Sequence, residues 1–222
     1  MTDPWQWAAL IGLGAFHGVN PAMGWLFAVA LGLQEGRRGA VIEALPPIAL
    51  GHALSVLMVA LGFGIVHLLA APDILKPAMA AILIGFGGYR LVRGYRHRVR
   101  VGMRASFAGL SLWSFVMASA HGAGLMILPL LIGMLAPAQM LVLSLCGPGA
   151  EMTGTIAVLG SVAAGAAVVL VHMTAMLAMI AIVALVVFDT VGLGILRRGW
   201  VNFDWVWAGA LIGTGVAVLL TR

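Results

Sequence analysis

A chain of 222 residues, 63% of them hydrophobic and 9% charged, with a mean hydropathy of +1.11, is too apolar to be a soluble domain. Twelve Lys and Arg against seven Asp and Glu give a formal charge of +5, but the arginines fall in short clusters between apolar runs. That pattern marks membrane orientation and lipid-headgroup contact and excludes nucleic-acid binding, while a single cysteine, Cys146, excludes an internal disulfide and a dithiol relay.

Crossing a bilayer takes roughly 20 apolar residues, and runs long enough recur along the chain. The first, Pro4–Gln34, follows Met1-Thr2-Asp3, which lacks the positive charge of a signal peptide, so it is expected to stay in the mature protein. It contains Phe16-His17-Gly18-Val19-Asn20-Pro21, where the proline removes a backbone hydrogen bond and kinks the helix. His17 and Asn20 share a helical face at i, i+3, and a kink at Pro21 would bring Met23 to the same side. Arg37 and Arg38 follow. The second run, Ala44–Pro72, carries His52, with Glu43 at its inner end and His67 near its outer end.

The third run, Pro77–Tyr89, extends back to Ile74 and leads into Arg90, Arg93, Arg96, Arg98, Arg100 and Arg104. The fourth, Ala105–Ala150, carries Met117 and His121, and the fifth, Met152–Phe188, carries His172, Met176 and Met179, with Asp189 at its end. Both exceed one span. Pro137, Gly147, Pro148, Gly149 and Gly154 interrupt helix, so re-entrant or interfacial structure is expected over Pro137–Thr155. Arg197 and Arg198 precede the last run, Trp205–Thr221.

Six spans in one integral membrane domain, residues 1–222, are therefore expected. The positive-inside rule puts the loops Glu35–Gly39, Arg93–Arg104 and Arg197–Gly199 in the cytoplasm and both termini outside, in a prokaryotic cytoplasmic membrane. Trp5, Trp7, Trp200, Trp205 and Trp207, near span ends, read as interfacial anchors.

Intramembrane histidines are costly and mark sites. Here they come in matched pairs, His17-Gly18 with His121-Gly122, and His52 with His172. Each second histidine is followed by a glycine-rich span, Ile84-Gly85-Phe86-Gly87-Gly88 and Leu211-Ile212-Gly213-Thr214-Gly215. This predicts two repeats, about 5–95 and about 105–221. Three spans per repeat is odd, so the second is inverted, with a site near the midplane between them.

Imidazole suits nickel, cobalt, zinc and copper, and thioether favours Cu(I). His17, His52, His121 and His172, with Asn20 and Met23 at the kink, form the expected metal site. Met117, four residues before His121, and Met176 and Met179, at i+4 and i+7 from His172, are secondary candidates. Methionines at helical spacing also serve plain packing. Glu43 and Asp189 are either solvated or arginine-paired carboxylates or proton-coupling groups. Cys146, Glu151 and Met152 mark an outer helix end or capture site, His67 and His97 are structural or solvated, and Ser55 and Thr174 bond locally or across helices.

The pattern His17-x-x-x-Pro21-x-Met23, followed by Gly51-His52-Ala53-Leu54-Ser55-Val56, resembles the NicO-type nickel/cobalt exporter family within the lysine-exporter-like superfamily. That family shows a histidine where this chain has Met23, and some members carry a histidine-rich loop where this chain has only His97. The resemblance spans the first 65 residues or so and implies efflux of a transition-metal cation. No phosphate-binding loop is present, so coupling to a gradient or a partner is expected, without enzymatic activity. Beyond lipid and metal ion, a second copy of the chain or a membrane complex are the expected partners. Two alternatives stand beside transport of nickel, cobalt, copper or zinc. One is a membrane anchor or assembly subunit of a metalloenzyme, with haem as its cofactor; the other is a small sulfur-oxyanion transporter, which arginines inside the spans would favour.

Overall fold

In a computed structural model, residues 4–69, 72–93, 106–146, 151–190 and 203–220 are described, with side chains over 4–63, 74–93, 106–134, 162–190 and 205–220. The chain is all-helical there: α1 Pro4–Val19, α2 Trp25–Glu35, α3 Arg38–Glu43, α4 Leu45–Leu69, α5 Pro72–Arg93, α6 Phe107–His121, α7 Ala123–Cys146, α8 Glu151–Thr190 and α9 Phe203–Leu220. Three stretches are long and apolar enough to cross a membrane, Arg38–Phe63, Ile74–Arg93 and Val162–Thr190. A fourth results if Phe107–His121 and Ala123–Met134, bent by 67°, count as one.

The first apolar run is broken rather than kinked. Asn20 leaves the helix at φ −65°, ψ 121° and its Oδ1 accepts the Ala22 amide at 3.0 Å, capping a 3-10 turn over Pro21–Met23. Gly24, at φ +120°, starts α2, a conformation that L side chains rarely adopt. The indole of Trp25 donates to the Val19 carbonyl at 2.9 Å and satisfies the end of α1. The second break has no proline. It falls at Gly122, φ +69°, whose amide bonds back to Ala118 and Ser119. Pro137, expected to end a helix, lies within α7, and Gly154 lies within α8; residues 147–150 between them are outside the described residues.

α1 packs on α8, α4 on α6 and α5 on α9. Gly14 lies against His172 and Ala175, Gly18 against Met176 and Met179, and Gly32 against Phe188, so α1 and then α2 follow α8 in the same direction. Gly51 sits against Ser111 and Ser114, while Ser114 donates to the Ile48 carbonyl at 2.8 Å and Ser55 bonds Ser119 at 2.9 Å, so α4 and α6 are also parallel. Small residues and hydroxyls at these seams allow close approach and supply the polar contacts that hold helices together in lipid.

The α5–α9 contact is antiparallel and reciprocal. A Cβ on Gly87 would meet Ile212 Cγ1 at 2.7 Å and the Ala208 carbonyl at 2.9 Å, and one on Gly215 would meet Ile84 Cγ1 at 2.7 Å and the Ala80 carbonyl at 3.0 Å.

Large apolar side chains face outward, with Leu50, Leu54, Leu57, Met58 and Leu61 along α4 all exposed, while His52, Ser55 and Val56 face in. A surface of that kind suits lipid, not water. The arginine loop Gly94–Arg104, the segment Arg197–Gly199 and Trp200 lie outside the described residues, as do the side chains of His67, Cys146, Glu151 and Met152.

Candidate functional site

His17 lies in the last turn of α1, His52 on α4 and His172 on α8, and all three are buried to 1% or less. The ring centroids of His17 are 5.7 Å from His52 and 4.9 Å from His172, both edge-on, and His52 and His172 stack at 5.9 Å. His17 Nδ1 bonds the Leu13 carbonyl at 2.8 Å, which aims Nε2 into the cluster. That nitrogen has no partner, nor has Nε2 of His52, nor either ring nitrogen of His172, beside which the Leu10 carbonyl sits without closing a hydrogen bond. Asn20 is buried nearby in sequence, its Oδ1 used by the turn and its Nδ2 unpartnered. Among the described residues, no group of three His, Cys, Asp or Glu is found that could hold a metal ion.

The fourth histidine, His121, meets an indole that also meets His17. His121 ends α6 and its Nδ1 bonds the Met117 carbonyl at 2.8 Å, repeating the geometry of His17 with Leu13. Both histidines touch Trp207 of α9, read from sequence as a membrane-surface anchor. The structure corrects this: Trp207 is wholly buried, whereas Trp5 and Trp205 are exposed. Its ring stacks on Phe16 at 5.1 Å and meets His17 edge-on at 4.4 Å and His121 at 5.7 Å, and its Nε1 donates to the His121 carbonyl. The sequence held a signal, since residues two apart point to opposite sides of a helix and Trp205 and Trp207 cannot both face lipid.

A second residue is also displaced from its expected role. Arg90, counted from sequence with the cytoplasmic basic cluster, is buried, and its Nη1 donates to the Ala120 carbonyl at 2.8 Å. An arginine does lie inside the helical assembly, at the negative end of α6.

The remaining candidates are placed as follows. Met23 and Met176 are buried in an apolar cluster with Trp25, Val29, Ile48, Leu110 and Ile180. Met117 is buried one turn before His121, and Met179 lies against Gly18 on the α1–α8 seam. Glu43 takes a two-pronged bond from Arg37 at 2.6 and 2.7 Å, with Glu35 on the same guanidinium, and these carboxylates raise the Arg37 pKa above its ordinary value. Asp189 pairs with Arg38, tying the end of α8 to α3. Ser55 bonds across to Ser119 and Thr174 bonds back to Leu170 at 2.7 Å.

A cavity of about 720 Å³ opens between α1, α5, α7 and α9, lined by Gln6, Leu13, Lys76, Met126 and Thr214 among others. None of the four histidines lines it, but Leu13, whose carbonyl orients His17, forms part of its wall. Comparison with protein-family models, with curated proteins and with solved structures returns no match for this chain.

Proposed function

We propose that the chain is a six-span, inverted-repeat secondary transporter that moves a transition-metal cation through the buried imidazoles of His17, His52 and His172. The observation that carries this is the convergence of three inaccessible rings whose Nε2 atoms have no partner. Each buried polar atom without a partner costs about 1–3 kcal/mol, so a cluster of them is a burden on the fold unless a ligand completes it. Imidazoles bound to one tetrahedral ion at about 2.0–2.1 Å have centroids roughly 5 Å apart, close to the 4.9–5.9 Å found. A cation is favoured further because the negative end of the broken helix α1 terminates beside the rings.

Two-fold packing supports the repeats. α1 lies on α8 as α4 lies on α6, the α5–α9 contact is reciprocal, and His17 and His121 each lie in the last turn of their helix with the same bond to the carbonyl four residues back. The resemblance to NicO-type exporters favours efflux, and the arginine clusters favour a cytoplasmic membrane with those loops inside. A sulfur oxyanion fits less well, since Arg90 is engaged by a carbonyl at a helix end that repels anions. The test is metal content of cells exposed to nickel, cobalt, zinc or copper. Wild-type chain should lower the content of at least one metal, and His17→Ala, His52→Ala and His172→Ala, expressed at equal level, should not. Unchanged content for every metal, with a haem band on the purified protein, would favour an assembly subunit instead.

A further inference from the structure

We infer that the cavity between α1, α5, α7 and α9 is a lipid site, which takes one acyl chain of an anionic phospholipid from the bilayer and sets its phosphate against Lys76. None of the four histidines lines it, so the site stands or falls apart from the metal centre. Its walls are mainly aliphatic and thioether, with Leu13, Met79, Met126 and Val218 among them, and Lys76 alone of the described lining residues is charged. Met79, Met126 and Val218 are buried, whereas Trp5 and Lys76 are exposed. The cavity therefore has an apolar interior and a rim that carries an indole and a cation.

Its depth suits a chain rather than a compact solute. From Trp5 to Leu13 the lining follows α1 for about 12 Å, most of the roughly 15 Å of hydrocarbon in one leaflet. Toward the rim, a Cβ on Gly133 of α7 would meet the Gln6 amide nitrogen at 3.4 Å, and farther in Leu13 and Met126 join one apolar cluster with Trp207. Thr214, also in the wall, spends its hydroxyl on the Ala210 carbonyl at 2.8 Å. Protein interiors hold few voids larger than a water molecule, and apolar ones stay dry. A space of about 720 Å³ with such walls thus forfeits dispersion contacts that an acyl chain restores. Beside the rim, Trp5 and Ile74 are both 61% exposed, an outer surface that faces lipid, so a bilayer component is what meets the opening. A tryptophan and a lysine are the residues expected at headgroup depth, and the lysine charge complements a phosphate that bears no cation of its own.

Native mass spectrometry of the full-length chain purified in detergent tests this, with dioleoyl phosphatidylglycerol and dioleoyl phosphatidylcholine as probes of equal chain and different headgroup charge. Wild type should retain one phosphatidylglycerol and prefer it about fivefold, the value of one lysine near an anionic headgroup. Lys76→Gln should bind the two lipids equally. Gly133→Leu, which places a side chain in the cavity, should weaken both by at least about tenfold. Gly12→Leu, the same change where α1 meets open space, should bind as wild type does. Glycerol phosphate, a headgroup without a chain, should not displace the lipid. In a Cys146→Ser background, bound phosphatidylglycerol should slow the labelling of Ala9→Cys, a wall position, by a thiol reagent, a readout that holds even if Gly133→Leu fails to fold. Equal affinity of wild type for the two lipids, displacement by glycerol phosphate, or labelling of Ala9→Cys at the same rate with and without lipid overturns the proposal, and so does wild-type affinity in Gly133→Leu.

Discussion

An unpartnered imidazole nitrogen in an apolar interior is a local cost that function, not folding, retains. His52→Leu, which removes such a nitrogen at a site buried to 1%, is therefore expected to leave the metal-free protein as stable as wild type or more so, while removing its stabilisation by metal. Thermal unfolding in detergent with and without cobalt checks this; a large fall in the metal-free midpoint would mean that His52 is a packing residue. Asn20 behaves oppositely. Asn20→Ala removes the cap of the 3-10 turn and should cost about 0.5–2 kcal/mol in the same measurement, whatever the metal. At this scale the histidines were legible because a titratable group in an apolar run has few other reasons to be there. Trp207 and Arg90 were not. Near a span end, an indole and a guanidinium are equally at home in headgroups and in the interior, and only the direction of the side chain separates the two.

Helix seams depend on backbone approach that a methyl group would block. A Cβ on Gly51 would collide with the backbone of α6, so Gly51→Ala should destabilise by about 1–3 kcal/mol and push α4 away from Ser111. Gly12 on α1 has open space around its Cβ direction, and Gly12→Ala should be neutral or stabilising by up to about 1 kcal/mol. Equal losses for both would contradict the seam. Three membrane-long apolar helices, or four with the bent pair, were readable from hydropathy, and the break after His17 from Pro21, whose missing amide cannot continue a helix. The bend after His121 was hidden, because Gly122, at φ +69°, is one of 30 glycines and nothing in its sequence neighbourhood singles it out. Pro137 misled in the other direction: it sits inside α7 without ending the helix.

Across the whole molecule, α1 and α2 run successively along α8, which puts Trp5 and Arg37 at opposite ends of one traverse. With Cys146→Ser as background, an impermeant thiol reagent on intact cells should mark Trp5→Cys and spare Arg37→Cys. Labelling of both would contradict the traverse, and labelling of Arg37→Cys alone would invert the orientation. Helical character was legible from the apolar runs, and the burial of His17, His52, His121 and His172 from their place within them; the contact of Trp207 with both His17 and His121 was not, because it depends on how the last helix packs. The most direct test of a metal-carrying centre is elemental analysis of purified protein dialysed against equal concentrations of nickel, cobalt, zinc and Cu(I). Wild type should retain about one ion per chain, with His17→Ala, His52→Ala and His172→Ala retaining none. Equal metal content in wild type and all three variants would contradict it.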